Sequence, residues 1–196
     1  MMTLSKTDKR MFEYLSHLKF GKVDHRDLSW GEYEALPNSD WQFPKELEDY
    51  FEECFYKNAD VIQGKKLLDI GCEYGSKTPW FDKFEPKALT CIDPNPDDLY
   101  IADYVGSILK TPTVCVETKA EDYQLSADTI FMLSSNHHFD DQFLVYSKLD
   151  CEHLIIDTWT DKVPINKVLE RLDKKFILER NWFFRPNRIV MRYRKK

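Results

Sequence analysis

The sequence predicts an α/β fold: a mostly parallel sheet of seven strands, finished by a C-terminal antiparallel hairpin and preceded by a helical cap. Three observations carry this. From Lys65 onward, apolar runs of strand length alternate with helical stretches, the pattern of a parallel sheet covered on both faces. The last twenty-one residues break the alternation and read as two strands joined by the tight connection RPNR. The first 62 residues hold helical periodicities around an aromatic, turn-rich stretch. The expected organisation is therefore a cap over residues 1–62 and a sheet domain over 63–196.

In the cap, Met11, Phe12, Leu15 and Leu18 recur at helical spacing, as do Leu47, Tyr50, Phe51, Cys54 and Phe55. The second helix begins after Pro44, which suits a first helical turn. Between them lie Trp30, Tyr33, Trp41 and Phe43, on a segment fit either for a packed cap or for a lid on the substrate side.

In the sheet domain, strands are expected at 65–71, 88–93, 113–117, 129–135 and 153–159, then in FILERNWFF and IVMRYRKK. The clearest helix spans 96–109. Pro96 occupies its first turn, Asp97 and Asp98 complement the helix dipole, and Ile101, Tyr104, Val105 and Ile108 form its apolar stripe. Another runs from Pro164 to about Lys174.

Bulk properties limit the function classes. A hydrophobic content of 42% can fill a sizeable core, and a net charge of −6 argues against a broad electrostatic grip on nucleic acid. The one basic concentration, Arg180 to Lys196, holds seven cations and no acid, and suits a solvated hairpin as well as a partner contact. The five cysteines form no C-x-x-C pair, which gives no metal site and suits a reducing compartment. The N-terminus lacks a signal-peptide core and no apolar run reaches membrane-spanning length, so a cytoplasmic protein without membrane contact is expected.

The chemistry concentrates after the first strand. LLDIGCEYG puts Asp69 at the strand tip, followed by Gly71 and Gly75, where the backbone turns sharply and a ligand can approach closely. The next strand ends in Asp93, eighteen residues after Gly75, at the distance where an acid meets the hydroxyls of an adenosine ribose. The pair points to a nucleoside ligand. A dinucleotide needs G-x-G-x-x-G beside its pyrophosphate, whereas this loop is G-x-x-x-G with Glu73 in the middle, whose carboxylate repels phosphate. S-adenosylmethionine has no phosphate and carries a cationic sulfonium and amine.

LLDIGCEYG resembles the first motif of class I S-adenosylmethionine-dependent methyltransferases, [DE]-x-G-x-G-x-G. CIDPN resembles their second motif, VETKAEDY the third and DTIFMLSSNHHF the fourth. The resemblance covers roughly residues 45–196 and implies a Rossmann-like methyltransferase sheet. It implies that Asp69, Gly71, Cys72, Glu73 and Gly75 surround the methionine moiety, Asp93 the ribose and Pro94 the adenine. It implies Glu121 and Asp122 at the adenine edge, and Ser134 beside the methionine end. Two positions depart from the pattern: Glu73 stands for the middle glycine, and Lys119 lies close to where many relatives carry an acid.

The resemblance puts the methyl acceptor at the fourth-strand tip, Ser135 to Phe139, where His137 or His138 is the candidate to take a proton from an acceptor that holds one. Asn136 and Phe139 faintly match the ends of [DNS]-P-P-[FYW], a signature of amino-group methyltransferases, but histidines replace both prolines. The expected function is methyl transfer to a small molecule or protein side chain. A nucleic-acid amino-methyltransferase ranks second, beside a non-catalytic cofactor-binding module and an enzyme using the same cofactor for other chemistry.

Overall fold

The computed structural model describes residues 45–107, 109–163 and 165–196. The chain divides into two compact units, Met1–Tyr56 and Lys57–Lys196. Of the first unit the described part is helix α1, Lys45–Tyr56, whose buried Tyr50, Phe51, Cys54 and Phe55 lie at helical spacing. The Phe51 ring centroid is 5.5 Å from that of Tyr50 and 6.1 Å from that of Phe55. Met11, Phe12, Leu15, Leu18, Trp30, Tyr33, Trp41 and Phe43 lie outside the described residues.

The second unit is an α/β sheet domain. Its strands are β1 (Lys66–Ile70), β2 (Ala88–Asp93), β3 (Thr113–Glu117), β4 (Ser126–Met132), β5 (Asp150–Trp159), β6 (Phe176–Arg185) and β7 (Arg188–Lys195). The helices α2 (Thr78–Asp82), α3 (Pro96–Ser107), α4 (Gln142–Lys148) and α5 (Ile165–Leu172) connect them. The seven strands form one sheet in the order β3-β2-β1-β4-β5-β7-β6. The first five run parallel, and β7 inserts antiparallel between β5 and β6.

Alternation within the strands builds two cores. On one face, Leu68, Ile130, Leu154 and Tyr193 stand in register across β1, β4, β5 and β7, beside a second row of Met132, Ile156 and Met191. Val145 and Leu149 of the α4 region and Val168 and Leu172 of α5 cover these rows. On the other face Phe81 of α2 meets Phe131 edge to face at 4.8 Å.

Some elements differ from the sequence reading. Strands β4 and β5 each begin three residues earlier, at Ser126 and Asp150, and β4 ends at Met132 because the chain turns left-handed at Ser134 (φ 64°). No helix joins β3 to β4, where strict alternation calls for one; the loop 118–125 crosses instead. Helix α4 is short and capped by Asp141, whose carboxylate accepts from the Phe143 and Leu144 amides at 3.0 Å.

The basic tail is largely spoken for by the fold. Arg192 donates two hydrogen bonds to Asp60 at 2.7 and 2.8 Å and a third to Glu179 at 2.9 Å. Arg194 bonds Glu179 at 3.0 Å, Lys195 bonds Asp150 at 2.8 Å, and Arg180 donates to the Lys57 carbonyl at 2.8 Å.

Candidate functional site

Strands β1 and β4 are the point where the strand order reverses. From β1 the chain steps outward to β2 and β3, then returns to start again on the other side at β4. In such sheets the carboxyl ends of the two diverging strands open a crevice. Here that crevice is a cavity of about 410 Å³ floored by Ile70, Gly71 and Ile92.

The loop after β1 is shaped by three left-handed residues, Gly71 (φ 71°), Glu73 (φ 49°) and Gly75 (φ 78°). Gly71 must be glycine twice over: besides its φ, a β-carbon there would stand 2.4 Å from Cβ of Ser135 on the β4 tip. At Gly75 the constraint is helix packing, with Cα of Ala102 3.0 Å from an added β-carbon. Glu73 holds an unfavourable conformation for a side-chain-bearing residue, and its amide is anchored by the Asp93 carboxylate at 3.0 Å.

Asp93 is the best-organised acid of the site. One carboxylate oxygen accepts from the Glu73 amide, the other from the Asn95 amide at 2.9 Å. Asn95 in turn bonds Asp98 at 2.6 Å and accepts from the Asp97 amide, so the start of α3 and the β2 tip form one rigid corner. The carboxylate thus faces the cavity with its orientation fixed and acceptor capacity remaining.

Beyond Asp93 the wall continues through Thr118, Lys119, Ala120 and Glu121 to Ser134, Ser135, His138, Phe139 and Asp140. Two links join its outer halves: Lys119 pairs with Asp140 at 2.8 Å, and Glu121 accepts from the Asp141 amide at 3.1 Å. Glu73, Asp93, Asp98, Glu121 and Asp140 line this cavity against one basic side chain, Lys119. Five acids against one cation give the wall an excess of negative charge.

Of the residues expected at a cofactor, Gly71, Glu73, Asp93, Pro94, Glu121 and Ser134 line the cavity. Asp69, Cys72, Gly75 and Asp122 do not. Asp69 is fully buried, with Lys77 Nζ 3.0 Å from one carboxylate oxygen, and burial raises its pKa. Cys72 is buried behind the loop and donates weakly to the Glu73 carbonyl. Gly75 packs against α3, and Asp122 sits in a turn with its amide on the Lys119 carbonyl at 3.1 Å. The Ser134 hydroxyl accepts from Arg188, and its amide donates to Asp157 at 2.7 Å.

Of the candidate bases, His138 is on the cavity wall and His137 is not, although their rings lie 3.9 Å apart. Burial pushes the His137 pKa below its ordinary value, helped by His138 and Lys162. Asn136 is buried, and its side-chain oxygen accepts from the Tyr146 hydroxyl. Its burial away from the cavity wall weighs against a target amine as its partner.

Neither Lys77 nor Arg188 is marked out as a site residue by the sequence. Arg188 emerges from the hairpin to pair with buried Asp157, its Nε at 2.7 Å, and reaches Ser134 on the cavity wall. The one local signal for Lys77 is a cation two residues past Gly75, between Ser76 and Thr78 and just before helix α2.

No family model matches the sequence, and no curated protein matches it. Solved structures do match the fold. A SAM dependent methyltransferase from Aquifex aeolicus superposes with a TM-score of 0.65 at 16% identity, covering 87% of this chain and 100% of its own. Magnesium protoporphyrin IX methyltransferase from Synechocystis PCC 6803, with bound SAM, gives 0.62 at 14% identity over 100% of both chains. The N-methyltransferase NodS from Bradyrhizobium japonicum WM9, in complex with S-adenosyl-l-homocysteine, gives 0.63 at 15% identity, covering 93% of this chain and 98% of its own. The sheet therefore has the Rossmann-like fold of class I methyltransferases, as expected.

Proposed function

We propose that the chain is an S-adenosylmethionine-dependent methyltransferase acting on a small molecule or a protein side chain. The carrying observation is the acid-lined cavity at the switch point, with Asp93 held by two backbone amides. A sulfonium and an amine suit such a wall, whereas a pyrophosphate beside Glu73 and Asp93 would be repelled. Solved neighbours with this fold include structures holding the cofactor or its product.

The residues present fit that ligand. Asp93 has acceptor capacity left for ribose hydroxyls, Pro94 and the 118–121 loop flank the place for adenine, and Gly71 and Ser134 border the methionine end. When bound, the cofactor supplies an electrophilic methyl group on a cationic sulfur. The chain's contribution is then positioning and exclusion of water, which serve an in-line displacement. His138 stands where a proton could be taken from the acceptor, and His137 beside it is held toward the neutral, proton-accepting form.

A nucleic-acid amino group is the weaker acceptor, since Asn136 is buried off the cavity wall and six cations of the hairpin have partners within the fold. Among the described residues no helix is long and apolar enough to cross a membrane. We place the protein in the cytoplasm, in keeping with its free cysteines.

Calorimetric titration tests the reading. S-adenosylmethionine and S-adenosylhomocysteine should bind in the micromolar range, about −8 kcal/mol, and NAD should not. Tight NAD binding without S-adenosylhomocysteine binding would falsify it.

A further inference from the structure

A buried lysine lies directly beneath the site. Lys77 is 4% exposed, and its ammonium has three acceptors from three places in the chain. It lies 3.0 Å from the Asp69 carboxylate on β1, 2.8 Å from the Gly71 carbonyl in the loop, and 3.4 Å from the Leu133 carbonyl past β4. Stability alone gives little reason for this, because a buried ion pair is often no better than an apolar pair of the same volume.

The location gives a reason. The ladder between β1 and β4 stops at Asp69 opposite Phe131, and above that register the two strands diverge to open the cavity. On its other side Gly71 is tied to β2, its amide donating to the Ile92 carbonyl at 2.9 Å. Toward β4, Lys77 joins the two tips where the ladder has ended. Residues on both sides of this seam, Gly71 and Ser134, line the cavity, and Ser135 stands within contact of Gly71.

Resting on the methyltransferase reading, we propose that Lys77 is a positioning residue for the methionine end of the cofactor site. Its ammonium staples the first-strand loop to the fourth-strand tip and fixes the width of the cavity between Gly71 and Ser134. It also neutralises Asp69, so this acid does not draw the cofactor's amine into the core. The adenosine end, built on Asp93 and the 118–121 loop, receives no hydrogen bond from the Lys77 ammonium and depends on it less.

The test compares two ligands on three proteins. S-adenosylhomocysteine spans both ends of the site and adenosine fills one. In Lys77→Met, affinity for S-adenosylhomocysteine should fall at least about tenfold, while adenosine affinity changes less than about twofold. Because Lys77→Met leaves Asp69 buried without a counter-charge and can unfold the protein, Asp69→Asn/Lys77→Met is measured beside it. The double variant keeps the core neutral and should show the same selective loss. Equal loss of both ligands, no loss of either, or wild-type selectivity in the double variant overturns the staple while leaving the methyltransferase reading standing. A wild-type protein that binds neither ligand overturns both.

Discussion

At the scale of single residues, two positions govern the site in different ways. Asp93 is a binding residue whose carboxylate is already oriented by the Glu73 and Asn95 amides, so little ordering cost remains when ribose hydroxyls arrive. Asp93→Ala should weaken S-adenosylhomocysteine binding by about 1–3 kcal/mol, the worth of charge-assisted hydrogen bonds. Calorimetry reads the loss, and a folded variant with unchanged affinity would remove Asp93 from the ribose. Gly71 is a geometric residue. In Gly71→Ala the left-handed strain adds to a β-carbon placed 2.4 Å from Ser135, so about 2–5 kcal/mol of stability should be lost. Gly64 separates the two causes: its φ is 68° but nothing lies within 4 Å of an added β-carbon. Gly64→Ala should therefore cost strain alone, about 1–2 kcal/mol. Urea melts showing equal costs at the two glycines would mean that the Ser135 contact relaxes freely.

At the scale of elements, what was legible in the sequence follows how local each cause is. Strands β1, β2 and β3 are marked by short runs rich in apolar residues, and helix α3 by its proline and acids, so their places were readable from neighbouring residues. The polar starts of β4 and β5, Ser126 and Asp150, were not: they are strand because each faces the other across a ladder set by distant pairing. The Gly71–Asp93 pair was legible because spacing alone puts both at adjacent strand tips. Lys77 and Arg188 were not, because the partners that tie them to the β4 tip, the Leu133 carbonyl and Ser134, lie 56 and 54 residues away and meet them only once the sheet order exists. The hairpin makes the same point energetically. Strand β7 is interior, and Arg192 within it is buried while gripping Asp60 and Glu179. Burial of the guanidinium is offset by those three bonds, and Arg192 holds the Asp60 carboxyl below its ordinary range. Arg192→Met should cost about 1–3 kcal/mol, limited because Asp60 is exposed enough to rehydrate. Denaturant unfolding checks it, and a neutral result would show that the apolar stem supplies Arg192's whole contribution.

At the scale of the whole molecule, the titratable groups set how stability varies with pH. Burial lowers the pKa of His137 and of His153 in β5, the latter also facing Arg192, with Glu152 and Glu179 opposing. Each folded histidine therefore binds fewer protons than the unfolded chain just below the ordinary value of 6.5. Their contribution is fully present above that value and is lost as pH falls through it toward the folded pKa. Asp60, held down by Arg192, acts in the same direction but lower, its contribution disappearing as pH falls below the ordinary 3.8. Asp69 has the opposite sign. Burial raises its pKa, so its contribution belongs to low pH and is lost as pH rises through the raised value. The histidine window can be isolated from the carboxylates by substitution. Thermal melts between about pH 5 and 7 should show the midpoint rising with pH. In His137→Gln/His153→Gln the rise should be shallower over the same interval, with the acid limb below about pH 4 unchanged. An undiminished slope in the double variant would mean that neither histidine is held neutral by the fold, and would remove the physical basis for a proton-accepting His137 beside the cavity.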